Sequence, residues 1–124
     1  MKKIALVEDN ADNRLLVRVI LSKWFQVTCY EDGPQALEGF AHDKPDLVLL
    51  DISLPKMDGV EVLRHLRADP QLSPLPVFAL TAYEMPGDRE KLLAAGFDEY
   101  ITKPILDVGD FVARIHHALE GVTP

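Results

Sequence analysis

Apolar and polar positions along the chain follow two alternating patterns. Five short runs, rich in Val, Ile, Leu and aromatic residues and bounded by polar, Gly or Pro residues, have the length and composition of β-strands. Longer stretches between them repeat apolar residues at spacings of three and four, which is typical of helices that bury one face. The predicted strands are residues 3–7, 26–30, 47–51, 77–80 and 99–102.

Most of the predicted helices carry one apolar stripe, which we expect to face a sheet. The first helix spans about residues 11–23, and the fourth runs from about Gly87 to Gly96, a good C-cap glycine. The predicted inward stripes are Leu15, Leu16, Val19 and Ile20 in the first helix, Ala36, Leu37, Phe40 and Ala41 in the second, Val62, Leu63 and Leu66 in the third, and Val108, Phe111, Val112, Ile115 and Leu119 in the last.

This strict alternation predicts an α/β fold in which helices cover both faces of a parallel sheet. Right-handed crossovers, together with the tendency of ligands to bind at strand ends, favour a doubly wound sheet of flavodoxin-like order. The 124 residues, of which 48% are hydrophobic, fit a single domain over residues 1–124.

Composition and charge exclude several classes of protein. No apolar run approaches the roughly 20 residues that cross a bilayer. The apolar start of the chain stops at Glu8, too early for a signal peptide, so we expect a cytoplasmic protein. The net charge of −7 argues against direct binding to nucleic acid, which requires basic patches. The single cysteine, Cys29, excludes an intrachain disulfide and is expected to be a structural thiol.

Polar residues stand directly after, or at the end of, four of the predicted strands. They are Glu8 and Asp9 after the first, Asp51 at the end of the third, Thr81 after the fourth and Lys103 after the fifth. The carboxyl ends of parallel strands meet at one edge of the sheet, where ligands bind in α/β proteins. We therefore expect these side chains to converge, with Asp51 at the centre.

Three carboxylates at such an edge repel one another, each close pair by ~4 kcal/mol at 4 Å and an effective dielectric constant of 20. A divalent cation would relieve this repulsion, and all-oxygen ligands suit Mg²⁺ or Mn²⁺ rather than zinc. Lys103 adds a positive charge, and Thr81 adds a hydroxyl group. The set predicts a site for a phosphoryl group, with the Asp51 carboxylate as nucleophile.

These residues resemble the receiver domain of bacterial two-component response regulators. The resemblance rests on Glu8-Asp9, Asp51, Thr81-Ala82 and Lys103-Pro104, and it extends over essentially the whole chain, including residues 54–59 and 95–100. It implies a five-stranded sheet of order 2-1-3-4-5. It also implies that Asp51 accepts a phosphoryl group from a phosphohistidine on a histidine kinase or a histidine phosphotransfer protein.

The resemblance further implies a role for each residue around Asp51. Mg²⁺ would be bound by Asp9 and Asp51, by Glu8 through water and by the backbone carbonyl of Ser53. Lys103 would contact the phosphoryl group, and the peptide bond between Lys103 and Pro104 is expected to be cis.

The same resemblance implies a switch rather than an enzyme with an external substrate. Thr81 would move toward the phosphoryl group and Tyr100 would rotate inward behind it. That rearrangement would change the face formed by helix four, strand five and helix five, where a downstream protein would bind. A homodimer is also compatible with the sequence. The bulk of Tyr83, two residues after Thr81, is expected to shield the phosphoryl group from water.

Three other functions are less consistent with the sequence. A phosphohydrolase that forms an aspartyl phosphate needs a second acid two residues after the nucleophile, where this chain has Ser53. A flavodoxin-like nucleotide-binding protein needs a phosphate-cradling first loop, but residues 8–12 are acidic and glycine-free. An interaction module that works without phosphorylation is expected to have lost key residues, and none is lost here.

Asn10 and Asn13, close to the first two acids, resemble the residues found there in receivers of phosphorelays. Whether the chain stands alone or belongs to a longer protein is open.

Overall fold

A computed structural model of the protein describes residues 1–82 and 87–120 and shows the alternating elements that the sequence predicts. The strands are β1 (Lys3–Val7), β2 (Gln26–Tyr30), β3 (Leu47–Asp51), β4 (Val77–Thr81) and β5 (Glu99–Thr102). The helices are α1 (Ala11–Leu21), α2 (Gly33–His42), α3 (Gly59–Ala68), α4 (Asp88–Ala95) and α5 (Val108–Leu119). Within the described residues, no helix is long and apolar enough to cross a membrane.

The five strands form one parallel sheet of order β2-β1-β3-β4-β5, as predicted. Its central strand, β3, is buried at every position, including the terminal Asp51. A strand covered by helices on both faces is apolar throughout instead of alternating, which explains the run of four apolar residues before Asp51. The register pairs Asp51 with Leu80 and Thr81 with Thr102, so that the ends of β3, β4 and β5 lie side by side.

Two hydrophobic cores lie on opposite faces of the sheet. Val48 and Leu50 of β3 join the core under α2 and α3, whereas Leu47 and Leu49 join the core under α1 and α5. This division follows from the two-residue period of a strand, which sends successive side chains to opposite faces. The doubly wound arrangement predicted from the sequence is therefore confirmed.

The predicted inward stripe of α1 is wrong at three of its four positions, and the fourth, Ile20, is half-buried against the core under α1 and α5. Leu15, Leu16 and Val19 are 61%, 47% and 61% exposed, and the helix buries Val17 and Leu21 instead. The helix has apolar residues on most of its circumference. Apolar residues at spacings of three and four therefore form two stripes, and the spacing alone does not show which stripe is buried. Packing against β1 and α5 selects the stripe of Val17 and Leu21. Leu15, Leu16 and Val19 form an apolar surface that we call the outer stripe.

Smaller differences occur at helix edges. In α5, Phe111, Val112 and Ile115 are buried as predicted, but Val108 in the first turn is 41% exposed. In α2, Ala41 is exposed as well. The stripe of α3 is buried at all three predicted positions, and Gly96 ends α4 with a φ of 116°, as expected for a C-cap glycine.

The reassigned face of α1 can be tested by a pair of substitutions. We expect Leu21→Ala to lower the free energy of unfolding by about 2–5 kcal/mol, because it leaves a cavity in the core under α1 and α5. The matched change Leu16→Ala should cost less than about 0.5 kcal/mol, since it removes only exposed surface. Urea denaturation followed by circular dichroism measures both. Equal losses would contradict this assignment.

Candidate functional site

The carboxyl edge of the sheet brings together five polar side chains that the sequence singles out. Glu8, Asp51 and Thr81 are buried, with 1%, 3% and 4% of their surfaces exposed, and Asp9 is exposed beside them. Lys103 directly follows β5 and is half-buried. We call this group the acidic cleft.

Lys103 connects the two buried carboxylates of the acidic cleft. Its Nζ donates hydrogen bonds to Glu8 Oε1 at 2.9 Å and to Asp51 Oδ2 at 3.0 Å. The Lys103 backbone N–H donates to the Thr81 carbonyl at 2.8 Å, which extends the pairing of β5 with β4, and the peptide bond to Pro104 is cis. The ammonium group therefore stands at the end of a fixed backbone and neutralises part of the buried negative charge.

The carboxylates of Glu8, Asp9 and Asp51 are arranged so that one oxygen from each lies within 4.8 Å of the others. The second oxygen of Asp51, Oδ1, accepts a hydrogen bond from the Ser53 N–H at 2.9 Å. Ser53 is exposed at the start of the β3–α3 loop, which covers residues 52–58. This set of hard oxygen donors fits Mg²⁺, which prefers carboxylates and water and is bound through few protein ligands.

Burial and mutual repulsion shift the proton affinities in the acidic cleft. Burial and the neighbouring Asp51 carboxylate raise the pKa of Glu8 to about 7, although the hydrogen bond from Lys103 acts in the opposite direction. Burial lowers the pKa of Lys103, but its hydrogen bonds to Glu8 and Asp51 outweigh burial and raise that pKa above the ordinary value. Lys103 therefore remains a cation throughout the physiological range.

Of the predicted switch residues, Thr81 belongs to the acidic cleft and Tyr100 lies on the adjoining strand. Thr81 ends β4 and is buried, and Tyr100 is half-buried on the neighbouring strand β5. Tyr100 lines a surface cleft of about 250 Å³, whose other lining residues include Pro104, Asp110 and Arg114. Tyr83, predicted to shield the phosphoryl group, lies outside the described residues.

A glycine is required directly behind Asp51. The N–H of Gly59, the first residue of α3, donates to the Ile52 carbonyl at 3.0 Å. A Cβ at this position would lie 2.6 Å from the Asp51 carbonyl oxygen and 2.8 Å from the Ile52 Cα, both of which are backbone atoms. No flexible side chain is available to yield, so the close approach of α3 to the end of β3 depends on this residue.

Sequence reasoning missed one pair of residues near the acidic cleft. The buried Asp32, which caps α2, accepts a hydrogen bond from Lys56 Nζ at 3.2 Å. A signal for Asp32 was available, because it follows β2 closely, as the predicted site residues follow the other strands. No pattern in the sequence indicates that Lys56, in the β3–α3 loop, is its partner.

Comparison with known proteins agrees with this geometry. Residues 4–116 match the family described as response regulator receiver domain. The chain is 41% identical over 107 residues to the response regulator PleD of Caulobacter vibrioides, covering 86% of this chain but only 24% of PleD. It is 39% identical over 105 residues to the polar-differentiation response regulator DivK of Brucella anthropi, covering 84% of this chain and 85% of DivK.

Solved structures share the fold over nearly the whole chain. The signal receiver domain of a histidine kinase from Syntrophus aciditrophicus has a TM-score of 0.89 and 30% identity, with 99% of this chain and 93% of that chain covered. The receiver domain of a sensor histidine kinase from Pseudomonas aeruginosa, whose active-site cleft holds a magnesium ion, has a TM-score of 0.87 and 32% identity, with 97% and 98% covered. The chain belongs to the response regulator receiver domain family.

Proposed function

We propose that this chain accepts a phosphoryl group on Asp51 from a phosphohistidine of a histidine kinase or a histidine phosphotransfer protein. Receiver domains are phosphorylatable switches in signalling rather than classical enzymes, and they bind Mg²⁺ at an acidic site. The observation that carries the proposal is the position of Asp51, which is buried at a strand end, contacts Lys103 at 3.0 Å and adjoins two further acids.

In the proposed transfer, a carboxylate oxygen of Asp51 attacks the phosphorus atom while the bond between phosphorus and the donor imidazole nitrogen breaks. The imidazole leaves with the electron pair of that bond and takes up a proton. Lys103 neutralises negative charge on the phosphoryl oxygens, and the Ser53 N–H orients the nucleophile through Asp51 Oδ1. Mg²⁺, held by Asp9, Asp51, Glu8 through water and the Ser53 carbonyl, would supply further positive charge.

The output face that we propose consists of α4, β5 and α5. None of the described residues of α4 is buried, and the residue at its N-cap is Gly87, which has no side chain to cap the helix. A helix with so little buried surface can change position at low cost. Thr81 would approach the phosphoryl group and Tyr100 would turn into the space behind it, so that the surface cleft beside Tyr100 changes shape for a downstream protein.

The donor protein must cover the mouth of the acidic cleft, because its histidine has to reach Asp51. The outer stripe of α1 lies beside this mouth: α1 starts two residues after Asp9, and Arg14 Nη1 donates to the Glu8 carbonyl at 2.9 Å. Leu106, three residues after Lys103, is 89% exposed. We propose that the donor docks on the outer stripe and Leu106, since exposed apolar surface of this kind marks interaction sites.

The phosphoacceptor can be tested by labelling. We expect incubation with Mg²⁺ and a small acyl phosphate to add one phosphoryl group, as measured by intact mass. Asp51→Asn should abolish the gain because it removes the nucleophile, and chelation of Mg²⁺ should suppress it. The matched control Asp58→Asn, which keeps a side chain able to cap α3, should be labelled normally. A gain that survives in Asp51→Asn would refute the proposal.

The docking surface can be separated from the chemistry. We expect the double variant Leu15→Gln, Val19→Gln to slow phosphoryl transfer from a phosphorylated histidine phosphotransfer protein at least about tenfold, since apolar contacts in an interface core carry much of the affinity. Labelling by a small acyl phosphate should stay unchanged, because that donor needs no docking surface. Leu93→Gln on α4 is the control. The docking surface is wrong if both donors are slowed equally or if neither is slowed.

The pH dependence of stability tests the environment of Glu8. In the metal-free protein its pKa is raised to about 7 from 4.5, so its stabilising contribution is complete below about 4.5 and lost as pH rises through 7. Glu8→Gln should match the wild type near pH 4 and exceed it near pH 8.5 by about 1–3 kcal/mol in free energy of unfolding. Urea denaturation with a chelator measures this. Glu38→Gln, at an exposed position, is the control. If the free energies of unfolding of Glu8→Gln and the wild type change in parallel with pH, the raised pKa of Glu8 is contradicted.

A further inference from the structure

We propose that Lys56 and Asp32 are positioning residues for metal binding: their ion pair fixes the β3–α3 loop, from which the Ser53 carbonyl would reach Mg²⁺. The inference rests on the metal site of the proposed function. It adds two residues that do not contact the metal and that belong to different connections of the fold, the β2–α2 turn and the β3–α3 loop.

Asp32 is built into the protein body as a rigid anchor. It is 5% exposed, and its Oδ1 accepts the Gln35 N–H at 2.9 Å as the N-cap of α2. Its Oδ2 accepts the Lys56 ammonium at 3.2 Å. The Gln35 N–H, together with Lys56, holds the pKa of Asp32 below its ordinary value, which keeps the carboxylate charged. Both oxygens of a buried carboxylate are thus used, one by α2 and one by the loop.

Lys56 occupies a strained backbone conformation. Its φ is 67°, in the left-handed region that favours glycine, and the Met57 N–H donates to the Pro55 carbonyl at 2.7 Å across it. These two features describe a γ-turn with a positive φ, a rare and strained turn. The Lys56 side chain is 68% exposed, so that burial of Lys56 itself does not hold the turn in place, although Met57 packs against the core under α2 and α3. Among the described residues, the contact that holds the Lys56 side chain against the rest of the protein is the one with Asp32.

A second contact joins the same two connections. A Cβ on Gly33, the residue after Asp32, would lie 3.2 Å from the Met57 Cβ and 2.6 Å from Val62 Cγ2. The turn after β2 and the loop after β3 therefore lie directly against each other beside the ion pair. Ser53, three residues before Lys56, sits in the same loop and is exposed, so the geometry of its carbonyl depends on how firmly the loop is held.

The sign of the effect on metal affinity distinguishes positioning from simple electrostatics. Removing a positive charge near a cation site should strengthen Mg²⁺ binding through charge alone. If Lys56 positions the loop, its removal should weaken Mg²⁺ binding instead, because the carbonyl ligand must then be ordered at the moment of binding. The two effects act in opposite directions on one measured constant.

The test is isothermal titration calorimetry of the full chain with Mg²⁺, accompanied by NMR of the Ser53 amide. We expect Lys56→Met to raise the Mg²⁺ dissociation constant roughly three- to tenfold, and Lys56→Arg to restore most of the affinity, because it keeps the charge that pairs with Asp32. Asp32→Asn, which still caps α2, should weaken binding similarly. The double variant should be no weaker than either single variant, since both remove one interaction.

Lys44→Met, which removes a lysine at the opposite edge of the sheet, is the charge control and should leave the Mg²⁺ dissociation constant unchanged. Thermal unfolding of each variant without metal shows whether the fold is retained. Unchanged or tighter Mg²⁺ binding by Lys56→Met, even with a lower melting temperature, would overturn the inference and leave the proposed function intact. Failure of the wild type to bind Mg²⁺ would overturn both.

Discussion

The contact of the Lys103 ammonium with Glu8 and Asp51 is the interaction on which the structure of the site depends. Two carboxylates with almost no solvent exposure are unfavourable neighbours, and burial next to Asp51 raises the pKa of Glu8. Lys103 keeps a fixed positive charge between them. The same charge that allows the acids to be buried also suits the site to a phosphoryl group, so that stability and chemistry share one group.

The sheet supplies the geometry for this contact. Parallel pairing brings the ends of β1, β3, β4 and β5 to one edge, and side chains far apart in sequence become neighbours there. One core on each face buries β3 completely, so that the side chain at its end is presented by a well-packed support. By contrast, none of the described residues of α4 is buried, which suits that helix to the movement that we propose for it.

The sequence predicted the strands closely because parallel strands covered on both faces have an unmistakable composition, as residues 47–51 show. The convergence of Glu8, Asp51, Thr81 and Lys103 followed from topology alone. The buried face of α1 was predicted wrongly because that helix has two apolar stripes, and only tertiary packing decides which one is covered. The pairing of Lys56 with Asp32 was missed, because a contact between two connections leaves no periodic signal.

The absence of a side chain at Gly59 has a consequence for how such a site can diversify. Backbone atoms of residues 51 and 52 fill the space that a Cβ would need, so the backbone beneath Asp51 leaves no room for a side chain at position 59. If Asp51 is phosphorylated as proposed, its reaction rate is more open to variation at the exposed rim, where Ser53 and Ala82 face solvent. A receiver of this design can evolve a new timescale at its rim while the backbone beneath Asp51 stays the same.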